Sequence, residues 1–194
     1  MSQEKVERLF GEILCEMGID WRFNPHLADT PKRIAKMFCN EIFTSYNDTF
    51  LEEPKITTFK NETFDEIIML DNIPFTSTCS HHFVPFSGLA WFAYIPGQLA
   101  IGASKVARVI QYLSKKPQVQ ENLSIEVMDM ICNKLSPKGA MLVMRAVHSC
   151  MACRGAMTGL EAGMITSVTR GCFRDNAITR QEALELIKIS VAVK

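Results

Sequence analysis

The sequence predicts an α+β fold, and three observations lead there. Helical periodicity runs through residues 3–42, short strand-like runs occupy 55–94, and two further helical stretches separate those strands from another at 140–150. Strands and helices gathered into separate runs are the pattern of an α+β domain. At 194 residues the chain is long enough to bury a sizeable core. No repeat, low-complexity tract or linker divides it. It reads as an N-terminal helical region (1–50) followed by a domain (51–194) carrying the chemistry, the two forming one functional unit.

The first helix is expected at about residues 3–17, where Val6, Phe10, Ile13 and Met17 recur at helical spacing. A second starts at Asp29-Thr30-Pro31, with Thr30 as cap and Pro31 in the first turn. Its apolar face continues through Ile34, Met37, Phe38 and Ile42. A loop over 47–54 closes this region. Strands are expected at 55–60, 64–70 and 74–78, then a longer strand or pair over 83–94, bent at Ser87-Gly88. The run from Trp91 to Ile95 is apolar at nearly every position, which predicts a sheet covered on both faces. A helix over 104–115 has Val106, Val109, Ile110 and Leu113 as its core stripe. Pro117 breaks it and starts another helix to about 135. A strand follows at 140–150. Thr179-Arg180-Gln181-Glu182 then fits a capping box before a final helix.

Twenty-one basic residues balance twenty-one acidic ones, so bulk charge gives no reason to expect nucleic acid or a membrane surface as partner. The N-terminal residues have no apolar run behind them, so neither a signal peptide nor a spanning helix is expected. The seven cysteines form an odd set suited to a reducing cytoplasm, where Cys and His clusters more often bind metal than form disulfides. Cys15, Cys39 and Cys132 lie in helical patterns and read as small core residues.

Three of the four histidines lie beside cysteines, in Cys79-Ser80-His81-His82 and His148-Ser149-Cys150. Cys79 and His82 are close enough in sequence to reach one ion. His148 and Cys150, two apart in an expected strand, would point to one face. Two thiolates and one imidazole would leave the fourth position of a tetrahedral zinc for water, as in a catalytic site. The residues alone leave open which histidines bind. They also allow a closed structural metal and, less readily, a Cys150/Cys153 redox pair. Ser104, Lys105 and Arg108 open a helix off its core stripe, where free N–H groups and positive charge suit a polyphosphate, and Arg154 could add to that charge. Gln120-Glu121 opens the next helix, where a carboxylate could accept hydrogen bonds from the N1–H and 2-amino group of guanine.

Taken together, Asp29-Thr30-Pro31-Lys32-Arg33, the segment from Thr76 to Pro85, Tyr94-Ile95-Pro96, Ile101-Gly102-Ala103-Ser104-Lys105, Pro117-Gln118-Val119-Gln120-Glu121 and the segment from Ala146 to Gly155 resemble GTP cyclohydrolase I. That is the zinc enzyme family that opens pterin biosynthesis, and the resemblance covers essentially the whole chain beyond the first helix. It implies Cys79, His82 and Cys150 as zinc ligands, with His81 and His148 catalytic. It further implies that Ser104, Lys105, Arg108 and Arg154 hold the triphosphate of GTP, and that Gln120 and Glu121 read the guanine. The implied architecture is a tunnelling fold, an antiparallel sheet with helices on one face. The resemblance also implies two pentameric rings stacked as a homodecamer, with sites between subunits; the cytoplasm is the expected setting. The implied reaction is hydrolysis of GTP at C8, releasing formate and giving 7,8-dihydroneopterin triphosphate. Two positions depart from the family pattern: Ser80 stands where the family has Glu, and Ala103 where it usually has Leu. Loss of an acceptor that contacted ribose hydroxyls would favour a deoxy substrate such as dGTP, or leave only the ring-opening half of the reaction.

Overall fold

A computed structural model describes residues 2–46 and 52–192, in two compact units, Met1–Glu52 and Glu53–Lys194. Residues 47–51 of the expected loop lie outside the described residues.

In the first unit, α1 (Gln3–Glu16) begins where Ser2 Oγ accepts from the backbone N–H of Lys5. Gly11 leaves room for Trp21, whose indole N–H donates to the Gly11 carbonyl at 3.0 Å. A Cβ at Gly11 would lie 3.0 Å from that ring. Helix α2 (Thr30–Met37) takes Asp29 as its N-cap, so Thr30 is its first residue rather than the expected cap. The predicted apolar face does continue, but as a π-helical turn over Phe38–Ile42. There the Phe38 ring stacks on both Phe10 and Phe43, with centroids 5.6 and 5.1 Å apart. Cys39 is buried as expected, whereas Cys15 at the end of α1 is exposed.

The second unit is built on a sheet formed by β2 (Ile68–Cys79), β3 (Pro85–Ile95), β6 (Gly139–His148) and β7 (Met164–Gly171), each antiparallel to the next. The two-residue β5 (Pro117–Gln118) runs parallel to the end of β2. A separate ribbon pairs β1 (Thr58–Lys60) with β4 (Leu99–Ile101). Helices α3 (Ala103–Leu113) and α4 (Gln120–Leu135) join β4 to β6 around β5. The short α5 (Ser149–Ala152) and α6 (Cys172–Asp175) follow β6 and β7, and α7 (Ala177–Ala192) ends the fold.

Alternation along the strands sorts the core. Phe92 and Tyr94 of β3 and Leu142 and Met144 of β6 face α3 and α4, meeting Val106, Val109, Ile110, Leu123, Val127 and Ile131. Each fully buried aliphatic side chain contributes about 1.5–3 kcal/mol. Helices α3 and α4 thus cover one face of the antiparallel sheet, the layering expected of a tunnelling fold. The intervening residues Trp91, Ala93, Met141 and Val143 pack on the opposite face against Phe173 of α6 and Ala183 of α7. The apolar stretch from Trp91 to Ile95 is thus covered on both sides, as predicted.

Several boundaries differ from expectation for identifiable reasons. The strands expected at 64–70 and 74–78 are one strand, β2, because Asn72 adopts φ 50° and absorbs a register shift between Leu70 and Ile73. β3 runs through Ser87-Gly88 as one strand with unbroken register, and Gly88 is there because a Cβ would collide with the Arg145 carbonyl oxygen of β6. Pro117 opens β5, not a helix. The cap of α7 is Asn176, whose Oδ1 accepts from the N–H groups of Ile178 and Thr179, so the expected capping box lies inside the helix. Strand β7 had no counterpart in the sequence reading.

Candidate functional site

The β2–β3 connection presents the first half of the site. Cys79 ends β2 and is 5% exposed. Its N–H donates to the Val84 carbonyl at 2.9 Å and its carbonyl accepts from Phe83 at 2.8 Å, closing a tight turn around Ser80, His81 and His82. Phe83 turns the chain with φ 56°. The Ser80 N–H donates to the Gln118 carbonyl at 2.9 Å, tying the turn to β5. His81 and His82 are both exposed.

The second half comes from the end of β6, in the register row of Ser77, two residues before Cys79. Phe86 pairs with His148, which brings the Cys79 turn and the His148-Ser149-Cys150 segment to one end of the sheet. The strand expected to reach residue 150 stops at His148, and Cys150 lies in the first turn of α5. Their side chains therefore do not share a strand face. The helical turn brings Cys150 toward Cys79 instead.

Cys79 Sγ, His82 and Cys150 Sγ offer ligand atoms that all lie within 4.8 Å of one another. Among the described residues this is the one group of three or more such donors close enough to share a cation. Cys79 Sγ and His82 Nδ1 are 3.9 Å apart, near the edge of about 3.6 Å expected for sulfur and nitrogen on a tetrahedral zinc. Two thiols and an imidazole fit the Cys₂His set of catalytic zinc sites, which leaves one position open. Burial and the adjacent Cys79 thiol push the Cys150 thiol up, while Arg154 opposes that rise. Closely held thiols of this kind favour a cation that would compensate two thiolates.

His148 stands beside this group but outside it. Its ring lies flat on Phe86, with centroids 4.5 Å apart and planes 3° from parallel. Its Nε2 is 2.8 Å from Gln120 Oε1. Burial lowers its pKa below the ordinary histidine value, and the Glu121 carboxylate acts in the opposite direction. A cavity of about 190 Å³ opens next to it, lined by His148, Met151, Ala162, Gly163 and Met164.

The remaining predicted residues divide into two groups. Glu121, in the first turn of α4, and Arg154, just after α5, are exposed at the metal end. Gln120 is also there but is fully buried, its amide engaged by Met144 O, Met164 O and Thr166 Oγ1. Its side chain is therefore not open to a base. Ser104, Lys105 and Arg108 are not at this end. The C-terminus of α3 meets the metal end, where Ser77 Oγ donates to the Ser114 carbonyl at 2.9 Å. Its N-terminus follows Ile101, whose N–H donates to the Tyr94 hydroxyl at the other end of β3. The 11 residues of α3 span roughly 16 Å between those ends. One chain thus holds the two halves of the expected site apart.

The sequence profile of GTP cyclohydrolase I matches residues 6–188. This chain belongs to the GTP cyclohydrolase I family. GTP cyclohydrolase 1 of Bacillus subtilis (strain 168) is 40% identical over 191 residues, covering 97% of this chain and 97% of that protein. GTP cyclohydrolase 1 of Streptococcus agalactiae serotype V is 39% identical over 193 residues, with 96% and 98% coverage. A crystal structure of the archaeosine synthase QueF-Like in the apo form aligns with 55% of this chain and 94% of its own, at TM-score 0.46 and 10% identity. Membership of the GTP cyclohydrolase I family brings a metal-binding expectation to the Cys79, His82 and Cys150 group described above.

Proposed function

We propose that the protein is a zinc-dependent GTP cyclohydrolase that opens the imidazole ring of GTP at C8, releases formate and yields 7,8-dihydroneopterin triphosphate. The observation that carries this reading is the Cys79, His82 and Cys150 donor group next to His148 and a cavity, in a chain of this family.

Cys79, His82 and Cys150 would hold the zinc. A zinc ion there supplies Lewis acidity that brings the pKa of a coordinated water toward ~7. His148, protonated to the imidazolium, gives a proton to purine N7, making C8 electrophilic to water, whose addition opens the ring to a formamide. His81, exposed beside His82, relays protons in the second hydrolysis, which frees formate. The amine left behind condenses with the opened ribose. Glu121 accepts from the N1–H and 2-amino group of guanine. Arg154, together with Ser104, Lys105 and Arg108 from a neighbouring copy, neutralises the triphosphate. The separation of α3's first turn from the metal end supports sites shared between subunits, as in a decamer of two pentamers. Free cysteines suit a reducing cytoplasm, and among the described residues no helix is long and apolar enough to cross a membrane.

Incubation of the zinc-loaded protein with GTP, following formate and the ultraviolet spectrum of the product, tests the reading. Nucleotide binding without formate at full zinc occupancy would leave a non-catalytic nucleotide-binding ring instead. Ser80 favours a second reading, in which a deoxy substrate is preferred or the reaction stops after ring opening. Its short hydroxyl stands beside Cys79, where the family has a carboxylate. Parallel GTP and dGTP turnover, with formate and pterin fluorescence followed separately, distinguishes these. Equal formate and pterin from GTP, with poor use of dGTP, removes the second reading.

A further inference from the structure

The amide of Gln120 is oriented by its surroundings and not by choice of label. Its nitrogen lies 3.0 Å from Met144 O, 3.2 Å from Met164 O and 3.1 Å from Thr166 Oγ1. Exchanging the amide nitrogen and oxygen would turn an acceptor toward two backbone carbonyls inside a buried site, neither of which can donate. The amide oxygen must then face His148, and only an N–H on Nε2 can answer it at 2.8 Å. Ser124 braces the arrangement: its Oγ lies 2.8 Å from the Gln120 carbonyl and 2.7 Å from Thr166 Oγ1. Phe86 fixes the plane of the imidazole from one side.

We propose that Gln120 is a positioning residue whose amide oxygen fixes His148 as the Nε2–H tautomer, leaving Nδ1 as the nitrogen that exchanges a proton with substrate. Three elements converge on this bond: the start of α4 supplies Gln120, the end of β6 supplies His148, and β7 supplies Thr166 and the Met164 carbonyl that orient the amide. The hydrogen bond made by one imidazole nitrogen sets the state of the other. A ring free to switch tautomers would present the wrong nitrogen to the base for part of the time. The Gln120 side chain contributes to the reaction through His148.

This inference rests on the reading of His148 as proton donor, so its test includes a measurement that needs no turnover. Solid-state 15N NMR of zinc-loaded protein, labelled at the histidine ring nitrogens and held at about pH 8.5 where the ring is neutral, reports the tautomer directly. The His148 signals are assigned by their loss in His148→Ala. The wild type is expected to show a single Nε2–H form. In Gln120→Met that form gives way to a mixture or to Nδ1–H. With zinc retained, kcat for GTP falls about 10–100-fold, while KM stays within about twofold. A wild-type Nδ1–H signature overturns the proposal, whether or not any variant folds. So does a folded Gln120→Met whose His148 signals are unchanged, or one that raises KM at constant kcat, as a base-reading residue would. A protein that releases no formate from GTP but keeps the Gln120-dependent tautomer would sink the hydrolase reading and leave this one standing.

Discussion

At the scale of single residues, the proposed chemistry separates groups that would hold a cation from groups that would move protons. Cys150 offers one of three donors, so Cys150→Ser should lose bound zinc and activity together, as measured by metal analysis beside formate release. His148 lies outside the donor group, so His148→Ala should keep zinc and lose turnover by about 100-fold or more, the range of a positioned general acid. Full activity in either variant would undo that residue's assignment. Cys132 makes a contrasting case on α4. Burial, aided by Asp129 and opposed by Arg170, pushes its thiol up to about 11. Alkylation at about pH 8 should therefore label exposed Cys15 well before Cys132, read by mass spectrometry.

The clustering of scarce histidines with cysteines made the metal group legible in the chain itself. The bond between His148 and Gln120 was not legible. It depends on the close of β6, the start of α4 and the register of β7, three segments that only tertiary structure brings together. Gln120 reads in sequence as an exposed residue of a first helical turn. Burial under β7 turns it into an internal hydrogen-bonding group.

At the scale of elements, long periodic segments were recoverable and irregular joints were not. The stripe of Val106, Val109, Ile110 and Leu113 predicted α3 to within two residues at each end. Asp71-Asn72 looks like a turn, yet Asn tolerates a left-handed backbone and lets β2 run on as a bulged strand. That bulge also anchors the last helix. Asn72 Nδ2 and Trp91 Nε1 both reach Ser190 Oγ, which donates to Asp71 at 2.6 Å. Ser190→Ala should cost about 1–2 kcal/mol in urea unfolding, since it strands partly buried donors. Gly88 is the stricter position. A methyl there would collide with the Arg145 carbonyl, and because the obstacle is backbone, β3 and β6 must separate for it to fit. Gly88→Ala should lower stability by about 3 kcal/mol or more in the same measurement.

At the scale of the whole molecule, the two groups expected to serve one nucleotide belong to opposite ends of one sheet. Cys79, His82, Cys150 and His148 gather at one end, and Ser104, Lys105 and Arg108 open α3 at the other. Copies carrying Lys105→Ala and copies carrying Cys150→Ser should each be nearly inactive alone. Mixed during refolding, they should regain activity as hybrid sites combine one intact half from each. In equal mixtures about a quarter of sites would draw both good halves, by random assortment of neighbours across one shared interface. Activity that stays at the level of the separate variants would mean the halves meet within one chain.

If the proposed site is shared between copies, the halves carried at the two ends of the molecule would bring copies together head to tail. Such a contact repeats without limit unless each step turns through an angle that brings the last copy back to the first. An open row would leave an orphaned cation pocket at one terminus and an orphaned anion cradle at the other, whereas closure makes the number of complete pockets equal to the number of copies. On that proposal, the separation along α3 makes circular symmetry a condition of full occupancy.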